Sequence, residues 1–91
     1  MNNEETFTIK NRLGLHARAA AKFVNLAGKF DSDIFIEKDG QSVNGKSIMG
    51  ILILAAACGS TVKVKADGAD SAAAVKAIGE LIDDGFGEDE V

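Results

Sequence analysis

The residues with the most chemical reach in this 91-residue chain stand together in Asn11-Arg12-Leu13-Gly14-Leu15-His16-Ala17-Arg18-Ala19-Ala20. His16 is the only histidine in the sequence. A neutral imidazole nitrogen is a competent nucleophile toward phosphorus. The apolar spacing that begins just after His16 predicts a helix. A helix N-terminus offers an anion unpaired backbone N–H groups and a partial positive charge. Arg18 adds a planar set of donors that fits phosphate oxygens. Nucleophile, helix end and guanidinium within three residues point to a site for a phosphoryl group. A solvent-exposed histidine in a helix-capping loop fits the same residues equally well.

Other chemistries find less support. One cysteine, Cys58, and one histidine at distant positions build no zinc site and no internal disulfide, so neither metal nor cofactor is expected. Cys58 reads as a small packed residue. Gly45-Lys46-Ser47 matches only the end of a nucleotide-binding P-loop and lacks the upstream glycine, so ATP binding is not expected. A net charge of −4 and a pI near 4.8 argue against nonspecific nucleic-acid binding. The opening Met1-Asn2-Asn3-Glu4-Glu5 is acidic and polar, unlike a signal peptide. No apolar run approaches the roughly 20 residues of a membrane span, so membrane insertion is not expected. A lone cysteine suits a reducing cytoplasm. A chain of this length predicts one domain, residues 1–91, burying only roughly 60–65% of its unfolded surface.

The elements that must position His16 follow from periodicity. Thr6-Phe7-Thr8-Ile9-Lys10 alternates with period two and predicts a strand with Phe7 and Ile9 inward. Over 17–27 the period changes: Ala20, Phe23, Val24 and Ala27 share one helical face, with Arg18, Lys22, Asn25 and Lys29 opposite. Gly28 is the expected stop. Ile34 to Lys38 is a second strand. Asp39-Gly40 is a two-residue hairpin turn, and Gln41 to Asn44 returns as a short polar edge.

Ser47 is placed to cap the helix that follows. From Ile48 to Cys58 there is no polar side chain except the thiol. A domain this small cannot bury every face of such a helix. Part of Ile48, Met49, Ile51, Leu52, Ile53 and Leu54 is expected to form an exposed docking patch. Burial of the whole helix in an oligomer core is the alternative. Thr61 to Ala66 is an alternating strand with Val62, Val64 and Ala66 inward. Its outward Lys63 and Lys65 are expected to pair across strands with Glu37. Residues 71–84 predict a last helix, with Asp70 or Ser71 at its head and Ala74, Val75, Ile78, Leu81 and Ile82 as its apolar stripe. Gly85-Phe86-Gly87 ends it, and Glu88-Asp89-Glu90-Val91 is expected to be a mobile acidic tail. The order βαββαβα predicts an α+β open-faced β-sandwich. Its sheet would be four-stranded and antiparallel, with three helices on one face.

Gly14-Leu15-His16-Ala17-Arg18 resembles the active-site signature of HPr, the histidine-containing phosphocarrier of the bacterial phosphoenolpyruvate:sugar phosphotransferase system. Val43-Asn44-Gly45-Lys46-Ser47-Ile48-Met49-Gly50 resembles its second signature, around a regulatory serine. Gly68-Ala69-Asp70 and the Gly85-Phe86-Gly87-Glu88 ending also fit, so the resemblance covers about residues 5–88.

The resemblance implies a carrier, not a stand-alone catalyst. His16 would accept a phosphoryl group on Nδ1 from Enzyme I, which takes it from phosphoenolpyruvate. It would pass the group to an EIIA-type domain, with Arg18 stabilising the phosphate. Ala21, Lys22, Ile48, Met49 and Leu52 would dock partners, with an apolar centre and a positive rim. Ser47 would be the target of an ATP-dependent HPr kinase/phosphorylase, and a regulator would be a further partner. A cytoplasmic monomer is the family expectation.

Two positions depart from the family pattern. Ala19 replaces the usual proline after Arg18, which predicts a less rigid loop with its chemistry intact. Gly45 stands where many members carry a larger apolar residue, which predicts either a looser approach to Ser47 or an altered choice of partner. Two other functions remain open. One is an HPr-like regulator of a nitrogen-type or incomplete phosphotransferase chain, acting mainly by protein binding. The other is an α+β interaction domain with an incidental histidine.

Overall fold

The computed structural model describes residues 2–88. Its elements are β1 (Asn2–Thr8), α1 (Ala17–Ala27), β2 (Asp33–Lys38), β3 (Gln41–Asn44), α2 (Ile48–Leu54), β4 (Thr61–Asp67) and α3 (Ser71–Asp83), followed by a 3-10 turn over Gly85–Gly87. The four strands form one antiparallel sheet in the order β1-β4-β2-β3. The open-faced α+β architecture expected from the sequence is the one observed.

The sheet's inner face and the helices enclose one core. Ile34 and Ile36 of β2 and Val62, Val64 and Ala66 of β4 are buried there with Phe23, Ile51, Ile78 and Ile82 of the helices. The outer face is largely polar, with Phe35 of β2 exposed on it; Lys63 lies 3.6 Å from Glu4, and Lys65 lies 3.1 Å from Glu37. The Asp39-Gly40 turn has positive φ at both residues, 51° and 83°, as a tight hairpin between twisted strands requires.

Three local features depart from the expectations. The first strand begins at Asn2, well before Thr6, because Asn2 to Glu5 pair with Val64 to Asp67 although they lack an apolar alternation. Beyond Thr8 the pairing continues irregularly, with Gly59 N–H donating to Ile9 O and Ile9 N–H to Ser60 O, each at 2.8 Å. Cys58 is exposed, not packed. The apolar helix stops at Leu54 because Ala55 turns left-handed (φ 49°), and this carries Cys58 to the surface. Gly45 is tightly enclosed, not loose. Its N–H donates to Ile34 O at 2.6 Å, and a Cβ there would stand 2.6 Å from Ile34 Cγ2.

Asp70 heads α3, as expected, but its side chain does not cap that helix. Its carboxylate instead accepts from the backbone N–H groups of Asp31 and Ser32 and from Ser32 Oγ. These bonds, Ser32 Oγ foremost, hold its carboxyl below the usual range. They tie the turn after α1 to the head of α3.

Candidate functional site

The loop before α1 is built on Asn11. Gly14 N–H donates to Asn11 O at 3.0 Å, and Asn11 Nδ2 donates to Gly14 O at 2.7 Å. Gly14 has φ +66° and lies so close to Ala56 O that a side chain would collide with it. Glycine is the residue that meets both demands. Leu15 is buried, and its N–H donates to Ala56 O at 2.9 Å, which seats the loop on the segment leaving α2.

His16 follows as the N-cap of α1, with extended backbone (φ −76°, ψ 179°). Its carbonyl accepts the first helical bond from Ala20 N–H at 2.8 Å, while its side chain makes no capping bond. The ring is therefore free to face outward at the helix N-terminus, where backbone N–H groups lack helical acceptors. Ala19 is the third residue of this helix and fully buried.

The sequence reading placed Glu88 in a mobile tail, and the structure corrects this. Glu88 Oε2 meets His16 Nε2, and Glu88 Oε1 accepts from Asn11 Nδ2 at 3.0 Å. The remainder of that tail, 89–91, lies outside the described residues. Glu88 arrives through three successive left-handed residues: Gly85 (φ 62°), Phe86 (φ 59°) and Gly87 (φ 71°). Such a conformation is costly for a phenylalanine. It is held because the Phe86 side chain is fully buried and Lys22 Nζ donates to Phe86 O at 2.7 Å. The Glu88 carboxyl lies below the usual range. Asn11's amide is the main cause; the His16 hydrogen bond and the positive charges of His16 and Lys22 add to it, against partial burial.

An ionised carboxylate only accepts hydrogen bonds, so His16 Nε2 must be the donor. In the neutral ring Nδ1 then carries the lone pair. The site thus presents one nucleophilic nitrogen at a helix N-terminus.

The other expected site residues are placed as follows. Arg18, in the first turn of α1, is exposed, and its side chain makes no hydrogen bond or ion pair among the described residues. Ala21 and Lys22 are half-buried, with Lys22 engaged by Phe86 O. Ser47 caps α2, its Oγ accepting from Gly50 N–H at 3.1 Å. Lys46 Nζ fastens this corner to the end of α1 through Phe30 O at 2.8 Å. Ile48 and Met49 are exposed, at 41% and 69%, as is Ile53, whereas Leu52 is half-buried against the core. Leu13, beside the histidine loop, adds another exposed apolar side chain.

Glu88 and Asn11 were missed as site residues. The Gly-Phe-Gly run was a signal for a left-handed turn before Glu88, and Asn followed three residues later by Gly is a turn signature. Neither signal says what the turn brings to His16. Among the described residues no group of three or more His, Cys, Asp or Glu side chains could hold a metal ion. Nor is any helix among them long and apolar enough to cross a membrane.

Known proteins resemble this chain in both sequence and fold. A family model described as the PTS HPr component phosphorylation site matches residues 3–84. The phosphocarrier protein HPr of Neisseria meningitidis serogroup A is 47% identical over 87 residues, covering 96% of this chain and 98% of the relative. The HPr-like protein Crh of Halalkalibacterium halodurans is 48% identical over 75 residues, covering 82% of this chain and 89% of the relative. A crystal structure of HPr from Thermoanaerobacter tengcongensis superposes with a TM-score of 0.92 at 52% identity, covering 96% of this chain and 98% of that one. The chain belongs to the HPr family of phosphocarrier proteins of the phosphotransferase system.

Proposed function

We propose that His16 accepts a phosphoryl group on Nδ1 from phosphorylated Enzyme I and passes it to EIIA-type domains of sugar permeases. The observation that carries this reading is the engagement of His16 Nε2 by Glu88, which leaves Nδ1 as the nucleophile. A carrier must stabilise phosphate without trapping it. A helix N-terminus and one arginine suit that requirement, whereas a metal or a lysine cluster would hold the group too firmly. Arg18, in the first turn, has no side-chain partner among the described residues and can reach the transferred group.

Ile48, Met49 and Leu52 form the apolar centre of the docking surface, with Ala21 beside it and Arg18 and Lys22 as its positive rim. The protein acts in the cytoplasm as a monomer. A phosphate placed on Ser47 by an HPr kinase/phosphorylase would add about −1.5 to −2 charges at the head of this surface and oppose an acidic Enzyme I face. A second reading draws on the likeness to Crh: an HPr-like regulator that works chiefly by binding partners through the Ser47 corner. Retention of His16 beside Arg18 favours the carrier.

The test is incubation with Enzyme I and labelled phosphoenolpyruvate. Acid-labile, alkali-stable label that disappears in His16→Ala is the expected result. A wild-type chain that takes up no label would defeat the reading.

A further inference from the structure

We propose that Asn11 is a positioning residue for phosphoryl transfer: through Glu88 it fixes which nitrogen of His16 carries the proton. The inference rests on His16 as the phosphoryl acceptor. Asn11 is fully buried. Its amide orientation is unambiguous, because Nδ2 faces two acceptors, Gly14 O at 2.7 Å and Glu88 Oε1 at 3.0 Å. Its Oδ1 has no hydrogen-bond partner among the described residues. The Oδ1 makes none of the bonds that hold the loop and the Glu88 carboxylate together. The side chain instead serves through its NH2 group.

The chain of bonds has a direction. Gly14 O and Glu88 Oε1 can only accept, so Asn11 donates to both. Glu88 thereby presents Oε2 to His16 as a second acceptor, which requires the proton on Nε2. The lone pair on Nδ1 then forms the bond to phosphorus while the bond from phosphorus to the donor's leaving group breaks, its electron pair returning to that group. The Nε2 proton stays in place throughout, held by Glu88. The low-lying Glu88 carboxyl, for which Asn11's amide is the main cause, keeps this acceptor ionised at neutral pH.

The directionality makes Glu88→Gln informative. With Asn11 present, the carbonyl of Gln at 88 must face the Asn11 NH2, so its own NH2 faces His16 Nε2. That donor requires an unprotonated Nε2 and drives the proton to Nδ1. Asn11→Ser retains a short donor toward Gly14 O but cannot reach residue 88. In the double variant Gln at 88 is free to turn its carbonyl to Nε2–H.

The full-length chain, labelled with nitrogen-15, reports the tautomer of neutral His16 by NMR above its titration. A dispersed amide spectrum checks the fold of each variant. We expect the Nε2–H form in wild type, and a shift of about tenfold or more toward Nδ1–H in Glu88→Gln. The phosphorylation rate by Enzyme I should fall in that variant, and both should be restored when Asn11→Ser is added. A Glu88→Gln tautomer like wild type, or one that Asn11→Ser does not reverse, overturns the proposal. The tautomer reading stands apart from phosphorylation. Wild type that takes no phosphate would defeat the carrier reading, while loss of the tautomer response in a chain that is phosphorylated normally would defeat only the role of Asn11.

Discussion

Gly79 offers a direct test of how α3 seats on the sheet. It lies buried in the helix interior, where glycine is normally about 1 kcal/mol worse than alanine. On that ground alone Gly79→Ala should stabilise the protein. The structure predicts the opposite. A Cβ at this position would stand 2.5 Å from Cζ of Phe7 and closer still to Cε1. Comfortable carbon contacts lie at about 3.5–4.0 Å, so the ring must retreat by about 1 Å. Phe7 belongs to the edge strand β1, is 8% exposed, and borders a surface groove of about 290 Å³ shared with Val75, Lys76 and Glu80. Overpacking of this kind costs about 1–3 kcal/mol. Set against the gain in propensity, Gly79→Ala should destabilise by about 1 kcal/mol and lower Tm by about 4–8 °C. Phe7→Leu lacks the outer ring atoms. In that background Gly79→Ala should therefore become stabilising by about 1 kcal/mol, a coupling of about 2 kcal/mol between the two sites. Urea unfolding followed by circular dichroism at neutral pH measures all four proteins. If Gly79→Ala changes stability with the same sign in both backgrounds, the claim that the Phe7 ring excludes a side chain is wrong.

Further perturbations separate the roles of individual groups. Ser47→Ala removes the cap on Gly50 N–H and should cost about 1 kcal/mol in urea unfolding, with phosphoryl uptake by His16 unchanged. Met49→Glu puts a negative charge on an exposed side chain of the proposed docking surface, and kinetics with Enzyme I should show KM raised about tenfold with little change in kcat. Asp70 has its carboxyl lowered in the folded state, so its contribution to stability is full above the unfolded pKa of about 4 and is lost as pH falls through the lower native value. Asp70→Asn should be less stable than wild type at neutral pH and lose less on acidification, which a pH series of urea midpoints would reveal.

Much of the architecture was legible because period and punctuation agree in this chain. The helix over 17–27, the Asp39-Gly40 hairpin and the strand with Val62, Val64 and Ala66 inward all announce themselves locally. So did the conflict between an all-apolar helix and a small domain, which the structure resolves by exposing Ile48, Met49 and Ile53 while burying Ile51 and Leu54. What escaped was set by distant partners. Asn2 to Glu5 look like a polar tail and become a strand only because β4 offers them an edge. Cys58 looks packable until Ala55 turns left-handed. Glu88 is one of a run of acidic residues, and nothing in that run announces that the preceding turn delivers it to Asn11 and His16. Periodicity describes which way a side chain faces, not which residue seventy positions away will meet it.

That separation has a consequence for how the site comes into being. Synthesis runs from the N-terminus, so the ribosome makes His16 long before Glu88, its partner 72 positions later. β1 must likewise wait for Thr61 to Asp67 before it can pair. An unfinished chain therefore carries the histidine without the carboxylate that orients it. A product lacking the residues after Asp83 would keep the nucleophile but lose what orients it, its ring free to place the proton on either nitrogen. Because the early loop is joined to the late turn, the His16 ring takes its oriented place only after residue 88 has been made and the turn has met the loop.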